Sequence, residues 1–288
     1  MRPSRRRLGL LLGCCAALLF CLPVAAQEHG DKLYQPSVGQ RGKDVIWVPT
    51  PNEMVTAMLA TAGVGPNDLV YDLGAGDGKI AIAAAREFGA RAVGIEFDGQ
   101  MAALAQRNAE RAGVGSRVKV IQGDIFKEDF SSATVVTMYL LPELNLRLEP
   151  ILKKMRPGTR VVSHSFDMET WEPDERIETS SALGYLWIVP AQAAGVWTVD
   201  LPFGQGPAEL TLTQIHQRVQ GNIRFGGRTM PISTGRIRGS EIHFAYVQPN
   251  GQPALVTAKI EDDRMSGEVA GVGGELRRFD ARLRAAKR

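Results

Sequence analysis

The chain has 288 residues, 44% hydrophobic and 23% charged, which is enough for one large domain or two smaller ones. Its net charge of +3 comes from residues 1–26, which contain four arginines and no acid and leave 30 basic and 31 acidic residues in the remainder. This balance gives no indication of the basic surface of a nucleic-acid-binding protein, so no nucleic-acid partner is expected.

The first 26 residues are predicted to be a secretory signal peptide. A basic head ending at Arg7 leads into an apolar run, and small residues at 24–26 precede Gln27, as a cleavage site requires. All three cysteines lie inside this leader, so the mature protein is expected to have no thiol, disulfide or cysteine-ligated metal site. The expected location is the periplasm. Two variants stay open: residues 4–8 resemble a twin-arginine export signal, and an uncleaved leader would anchor the protein to the membrane, its one expected membrane contact.

A polar stretch at residues 27–43 is predicted to be a tether, and a first domain is predicted over residues 44–190. Early in that domain Thr50 is followed by Pro51 and, three positions after Thr50, by Glu53. This spacing predicts a capping box at the start of a helix, because the threonine and glutamate side chains can each satisfy a free backbone amide.

The centre of this domain is a predicted strand, glycine turn, helix and second strand within residues 70–98. The apolar residues before Asp72 suit a buried parallel strand, and the second strand ends at Glu96. Three alternating glycines between them let the backbone bend tightly and approach a ligand without Cβ obstruction. These glycines are Gly74, Gly76 and Gly78.

The glycine spacing distinguishes two classes of nucleotide ligand. A dinucleotide site needs G-x-G-x-x-G to place a pyrophosphate on the helix N-terminus, but here the pattern is G-x-G-x-G and Lys79 takes the last glycine position. Asp72 and Asp77 add negative charge where a pyrophosphate would be repelled. The residues therefore favour a ligand that carries an amine and a sulfonium but no phosphate. The alternative is an ordinary turn that binds nothing.

This segment resembles the class I S-adenosylmethionine (SAM)-dependent methyltransferases. The resemblance implies an α/β fold, a Rossmann-like doubly wound sheet, with SAM as the cofactor. It implies that Gly74 and Gly76 lie against the methionine part of SAM, and Gly78, which completes the turn, is predicted with them as a cofactor-binding residue. Asp72 is then expected near the amino group of SAM, and Glu96 is expected to accept hydrogen bonds from both ribose hydroxyls.

Further strands supply the remaining candidate residues. A third strand at 118–121 runs towards Asp124, where methyltransferases commonly contact the adenine amine; a plain Asx-turn is the alternative. A fourth strand ends at Tyr139, and ligands of open parallel sheets lie beyond the carboxyl ends of strands. Tyr139 is therefore the candidate catalytic residue that orients the methyl acceptor, with a half-buried strand-end aromatic as the alternative. His164 on the fifth strand is interpreted as a satisfied core residue rather than a base.

Two short patterns are similar to the bacterial relatives of the mitochondrial ATP-synthase c-subunit lysine methyltransferases. Val-Pro-Thr-Pro at 48–51 precedes the glycine turn, and Phe-x-x-x-x-Trp-x-Pro spans 166–173. The resemblance implies that the first pattern lies over SAM as part of a lid and that the acceptor is a nitrogen, such as a protein lysine. The Asp-Pro-Pro-Tyr box of amino-directed methyltransferases lacks its Asp or Asn here, so the acceptor stays open.

A second domain over residues 194–285 is predicted to be all-β. Short alternating segments are separated by Gly, Pro and Asn turns, which is typical of an antiparallel barrel or sandwich of roughly seven or eight strands. Nothing in it indicates catalysis; it is expected to hold a ligand, dock the acceptor or cover the enzyme. The predicted segments are 196–200, 209–217, 235–238, 241–247, 254–260, 264–269 and 275–281.

The leading interpretation is a SAM-dependent methyltransferase with a nitrogen acceptor. Export motivates a second one, since SAM is made in the cytoplasm: an exported ligand- or protein-binding module whose methyltransferase-like domain has lost turnover. A third is a small-molecule methyltransferase in which the all-β domain presents an apolar substrate.

Overall fold

The computed structural model describes residues 29–200, 207–271 and 274–284, so the predicted leader lies outside the described residues. The first part of the chain forms a seven-stranded sheet with helices, and the second forms a closed barrel. The helices are α1 (Asn52–Thr61), α2 (Lys79–Phe88), α3 (Gly99–Arg111) and α4 (Pro142–Leu152). The strands of the sheet are β1 (Leu69–Leu73), β2 (Arg91–Glu96), β3 (Val118–Gln122), β4 (Val135–Met138), β5 (Arg160–His164), β6 (Glu175–Glu178) and β7 (Leu183–Ile188).

The sheet has the strand order β3-β2-β1-β4-β5-β7-β6. Strand β1 pairs in parallel with both β2 and β4, whereas β7 is antiparallel to its neighbours β5 and β6. This confirms the predicted doubly wound sheet, which has antiparallel pairing at one edge. Because the direction of winding reverses at β1, a crevice opens beyond the carboxyl ends of β1, β2 and β4.

Local signals position the helices around that crevice. Gly78, at the start of α2, and Gly89, at its end, both have left-handed backbone conformations that glycine adopts without strain. Helix α3 begins after Asp98, whose Oδ1 accepts a hydrogen bond of 2.8 Å from the Met101 amide. Helix α2 therefore begins after the glycine turn that follows β1, and α3 begins after the short turn that follows β2.

The predicted capping box of α1 is wrong. Pro51 is the N-cap, and no side chain caps the helix. Glu53 instead accepts hydrogen bonds from the amide and the hydroxyl of Ser180, while the Thr50 hydroxyl lies 3.2 Å from Nδ1 of His164. The side chains of Thr50 and Glu53, which the local spacing assigned to the cap, therefore bond to residues that are far away in the sequence.

The described part of the predicted tether, residues 29–43, is bound to the domain surface. Asp31 accepts hydrogen bonds from Arg107 at 2.6 Å and from Arg111 at 3.0 Å, both on α3. The two guanidinium groups, together with nearby backbone amides, hold the pKa of Asp31 well below its usual range. Polar composition correctly indicated an exposed segment, but the ion pairs that fasten it are long-range.

The second part of the chain confirms the all-β prediction as an eight-stranded barrel. Each strand pairs with the next one in an antiparallel direction, and β15 closes the barrel on β8. Alternate residues of each strand point inward, and large side chains such as Trp197, Phe225, Tyr246 and Phe279 fill the interior. The strands are β8 (Gly195–Asp200), β9 (Ala208–Ile215), β10 (Arg218–Phe225), β11 (Arg228–Arg238), β12 (Glu241–Val247), β13 (Pro253–Glu261), β14 (Arg264–Ala270) and β15 (Leu276–Leu283).

One barrel strand, β10, was not predicted. Gly221 interrupts its alternating pattern, yet a Cβ at that position would lie 1.9 Å from the carbonyl oxygen of Thr211 on β9. The glycine therefore allows two backbones to approach closely rather than ending the strand. The turn before β10 was missed as well, because His216 takes a left-handed conformation, with φ of 52°, that is uncommon outside glycine.

The barrel packs on the segment that leads into β6. Gln217 donates a hydrogen bond of 2.6 Å to the carbonyl oxygen of Glu172, and Arg236 pairs with Asp174 at 2.9 Å. These contacts fix the barrel against the sheet domain. No helix in the described part of the chain is long and apolar enough to cross a membrane.

Candidate active site

A cavity lies at the crevice beyond β1, β2 and β4, and six of the seven sequence-predicted site residues line it. These residues are far apart in sequence, from β1 to the end of β4. The parallel pairing of β1 with β2 and with β4 brings them close together in the fold. Gly78 is the exception, since it lies behind the turn. The six lining residues are Asp72, Gly74, Gly76, Glu96, Asp124 and Tyr139.

The glycine turn forms the floor of the cavity. Gly76 has φ of 55°, and a Cβ there would lie 2.6 Å from Nε1 of Trp47, so a larger residue would be both strained and obstructed. A Cβ on Gly74 would lie 3.0 Å from the Leu140 side chain. Gly78 serves a different purpose, because its Cα faces Ala105 of α3 and allows the two helices to meet. Its place in the turn is therefore structural.

Three carboxylates surround this turn: Asp72, Asp77 and Glu96. Asp72 is buried, and its Oδ1 accepts a hydrogen bond of 2.8 Å from the Thr137 hydroxyl. Burial, reinforced by the nearby charges of the other two acids, raises the pKa of Asp72 to about 7. Burial also raises the pKa of Asp77 and of Glu96. None of the ion pairs between described residues includes these three acids, so the turn carries negative charge that a cationic ligand would neutralise.

Glu96 holds the turn as well as facing the cavity. Its two oxygens accept hydrogen bonds of 2.9 Å, one from the Gly76 amide and one from the Asp98 amide. Each carboxylate oxygen has a second lone pair, so both can still accept a bond from a ligand hydroxyl. Glu96 lies beside the glycine turn, as predicted.

Asp124 forms the Asx-turn that its sequence position allowed and also lines the cavity. Its Oδ1 accepts a hydrogen bond of 3.0 Å from the Phe126 amide, which makes an Asx-turn, while Oδ2 faces the cavity and accepts from Lys43 at 3.1 Å. The Phe126 amide and the Lys43 ammonium hold the pKa of Asp124 below its ordinary value. The same ammonium lies 4.9 Å from the ring centroid of Phe97.

Residues 40–50 cover the cavity and form one of its walls. This agrees with the expectation that the Val-Pro-Thr-Pro segment belongs to a lid. Trp47 contributes most of the cover over the glycine turn, and Lys79 of α2 fastens the segment by donating a hydrogen bond of 3.0 Å to the Thr50 carbonyl oxygen. Lys43, Trp47 and Lys79 were missed as site residues. The only sequence signal for these three residues was that they lie near the Val-Pro-Thr-Pro segment or the glycine turn in the sequence.

A second cavity lies beside the first and shares lining residues with it, including Tyr139 and residues 41–46. Its lining combines an apolar group, Val48, Leu140, Leu141 and Phe166, with the charged residues Arg41, Lys43 and Asp44. Tyr139 therefore lines both cavities. None of the described residues that line either cavity belongs to the barrel.

The residues present fit SAM better than a phosphate-containing nucleotide. SAM carries two positive charges, on its sulfonium and its amine, and the buried carboxylates around the glycine turn form no ion pair with another described residue. A pyrophosphate in the same place would bring like charges together in a poorly solvated site. The turn itself admits a ligand close to the backbone at Gly74 and Gly76.

Comparisons with known proteins agree with this chemistry. A family model described as the ANTKMT methyltransferase domain matches residues 72–175, which end before the barrel. A protein-lysine N-methyltransferase of Saccharolobus islandicus is 47% identical over 136 residues, covering 46% of this chain and 84% of that protein. The human lysine N-methyltransferase of the ATP synthase c-subunit is 32% identical over 146 residues, covering 50% of this chain and 61% of the human protein.

A solved structure gives the same result. An RNA methyltransferase from Salinibacter ruber, crystallised with S-adenosyl-L-homocysteine, is 50% identical, has a TM-score of 0.50, and is matched over 96% of its length by 51% of this chain. Its bound nucleoside is the product that SAM leaves after methyl transfer. Together with the acid-lined glycine turn, these relatives show that the chain belongs to the ANTKMT family of SAM-dependent methyltransferases.

Proposed function

We propose that this methyltransferase acts on the ε-amine of a protein lysine. The second cavity carries the proposal, because it adjoins the cofactor cavity at Tyr139 and offers an apolar path lined by Leu140, Leu141 and Phe166. An unbranched aliphatic side chain with a terminal amine suits such a path. Relatives named as lysine methyltransferases support the same acceptor.

The chemistry needs little from the protein beyond binding and alignment. SAM supplies an activated methyl group on a sulfonium, which leaves as a neutral thioether. The lysine must first lose a proton to water so that its nitrogen lone pair is free; with SAM bound, that nitrogen would form the N–C bond as the S–C bond breaks, giving a methylated ammonium and S-adenosylhomocysteine. Apolar walls around the amine lower its pKa and favour the neutral form.

Residues at the junction of the two cavities align the amine. The Tyr139 hydroxyl can accept a hydrogen bond from an amine N–H and so direct the lone pair towards the methyl group. His164 beside it is a poor base, because burial lowers its pKa to about 4. The chain therefore relies on orientation and desolvation rather than on proton abstraction by a side chain.

Replacing Tyr139 by phenylalanine is expected to lower kcat about tenfold, because the ring is kept but the hydrogen bond that orients the acceptor is lost. SAM affinity should change less than about twofold. Steady-state kinetics and calorimetric titration measure the two quantities. Tyr185→Phe, a change of the same kind on β7, is the matched control. An unchanged kcat in Tyr139→Phe would remove the tyrosine from the reaction.

The acceptor class is tested by incubating the purified full chain with methyl-labelled SAM and a whole-cell extract. We expect the label in the protein fraction and, after acid hydrolysis, in methylated lysine. Label that ribonuclease releases would instead support an RNA acceptor, which is the acceptor that the name of the Salinibacter ruber protein indicates for that protein. Label in small molecules would support the third interpretation. Either result would contradict the lysine proposal.

We also propose that the protein is exported to the periplasm, on the basis of the basic and apolar pattern of residues 1–26. Turnover there would require a supply of SAM outside the cytoplasm. Mass spectrometry of the protein isolated from its source cells tests the proposal: we expect a mature N-terminus at Gln27, whereas an intact Met1 in a cytoplasmic fraction would contradict it.

A further inference from the structure

The Val-Pro-Thr-Pro pattern does not explain why the Thr50 side chain is buried. It lies between Pro49 and Pro51, is 5% exposed, and does not cap the helix that follows. Its hydroxyl lies 3.2 Å from Nδ1 of His164, and its carbonyl oxygen accepts the hydrogen bond from Lys79. The flanking prolines restrict the backbone here, so the threonine is held in place from both sides.

His164 connects Thr50 to the junction of the two cavities. It ends β5, is 3% exposed, and its ring centroid lies 3.9 Å from that of Tyr139, with the ring planes inclined by 43°. Such a short distance means that the imidazole supports one face of the tyrosine ring. The hydrogen bond to Thr50 in turn fixes how the imidazole ring is rotated, since Nδ1 must face the hydroxyl.

We propose that Thr50 and His164 are positioning residues that hold the Tyr139 ring in the orientation needed for methyl transfer, an inference that rests on the proposed function of Tyr139 as the acceptor-orienting residue. The hydroxyl of Thr50 fixes the imidazole, and the imidazole fixes the phenol. A group that touches the acceptor needs this kind of support, because misplacement by about 1 Å can lower a rate about a hundredfold.

Thr50 also connects the cofactor side of the site, at the glycine turn, with the acceptor side, at Tyr139. The carbonyl oxygen of Thr50 is bonded to Lys79 on α2, next to the glycine turn, whereas its side chain leads through His164 to Tyr139. A change of the Thr50 side chain should therefore act on the acceptor side and leave the Lys79 bond, which uses only the backbone, intact. This separation allows a clean test.

Thr50→Val removes the hydroxyl while keeping the shape of the side chain, and Thr50→Ser keeps the hydroxyl. We expect Thr50→Val to lower kcat about tenfold with the dissociation constant for SAM changed less than about twofold, and Thr50→Ser to restore most of the rate. Thr56→Val, at an exposed position of α1, is the control for the same chemical change away from the site. Equal kcat values for Thr50→Val and Thr50→Ser would overturn the proposal.

A double-mutant cycle with Tyr139→Ala tests the route through the tyrosine. If Thr50 acts by holding the Tyr139 ring, Thr50→Val should cost little further rate once the ring is absent, so the two effects should not add. A merely structural role for Thr50 predicts additive losses instead. Additivity within the error of kcat would therefore contradict the inference. The cycle works with any acceptor that the wild-type enzyme methylates, including one other than lysine.

A readout that needs no turnover separates this inference from the proposed function. Tyrosine side chains labelled with ¹³C give ring resonances, and Tyr139→Phe identifies the one from Tyr139. We expect Thr50→Val and His164→Ala each to shift that resonance and to speed the flipping of the ring, with Thr50→Ser close to wild type. An unaltered Tyr139 resonance in both variants would overturn the proposal even where no acceptor is methylated.

Discussion

Replacing Asp72 by asparagine is expected to weaken SAM binding at least about 100-fold, equivalent to about 2.7 kcal/mol. Asparagine keeps the size of the side chain and can still accept the Thr137 hydrogen bond, so the change removes little except the charge. A buried carboxylate that faces a bound cation contributes strongly, because few solvent dipoles compete with it. Calorimetric titration of the variant with SAM measures the loss.

The stability of the same variant should change in the opposite direction. The pKa of Asp72 rises from 3.8 to about 7 on folding, so the folded protein favours the protonated form, and this contribution to stability is lost as the pH rises towards 7. At pH 8 without ligand, Asp72→Asn should therefore melt at a higher temperature than wild type. Asp263→Asn, an exposed change of the same kind in the turn between β13 and β14, should alter neither property. Undiminished SAM affinity in Asp72→Asn would refute the assigned role of this carboxylate.

SAM affinity of the wild-type protein is expected to fall as the pH falls from 7 to 5, by up to about tenfold per unit. Below pH 7 the ligand keeps both of its positive charges, but Asp72 takes up a proton in the free protein, and a protonated acid cannot pair with a cation. Asp77 and Glu96, whose pKa values burial also raises, act in the same direction. Titrations in matched buffers at constant ionic strength measure the slope.

Two further expectations attribute this pH dependence of SAM affinity to the acids around the glycine turn. Asp124 should not contribute, because its pKa lies below the ordinary value and it stays ionised throughout the range. In Asp72→Asn the slope should become shallower, since only the contributions of Asp77 and Glu96 remain. An affinity that is level between pH 5 and pH 7 would contradict the view that these carboxylates must be ionised to hold the ligand.

The cofactor side of the site could be predicted from sequence because its parts are local. The alternating glycines and Asp72 fall within seven residues, and Glu96 follows at the end of the next strand. Parallel pairing of β1 with β2 then brings these residues together without further information. The strands and helices themselves were predictable because each carries its own periodicity.

Contacts that depend on the folded sheet were not predictable. The partners Thr50 and His164 are 114 residues apart, and Lys43 and Asp124 are 81 apart, so no local spacing relates them. The same explanation applies to Glu53, whose expected place in a capping box was lost to Ser180. In the barrel, a glycine that permits close packing of strands was indistinguishable in sequence from one that ends a strand.

The structure favours some of the possible roles of the barrel over others. Its sequence allowed a ligand-holding role, but its interior is filled by its own apolar side chains, and its contacts to the sheet domain pass through Glu172 and Asp174 rather than through the two site cavities. A role as a scaffold or docking surface fits these observations better than one as a carrier of an apolar substrate. The chemistry belongs to the sheet domain.

The most direct measurement is a pair of calorimetric titrations of the purified full chain at about pH 7.5, one with SAM and one with NAD. The acid-lined glycine turn should bind SAM in the micromolar range, and NAD, whose pyrophosphate would meet Asp72 and Asp77, should give no measurable heat. Comparable binding of NAD, or no binding of SAM, would show that the turn does not select a cationic nucleoside without phosphate.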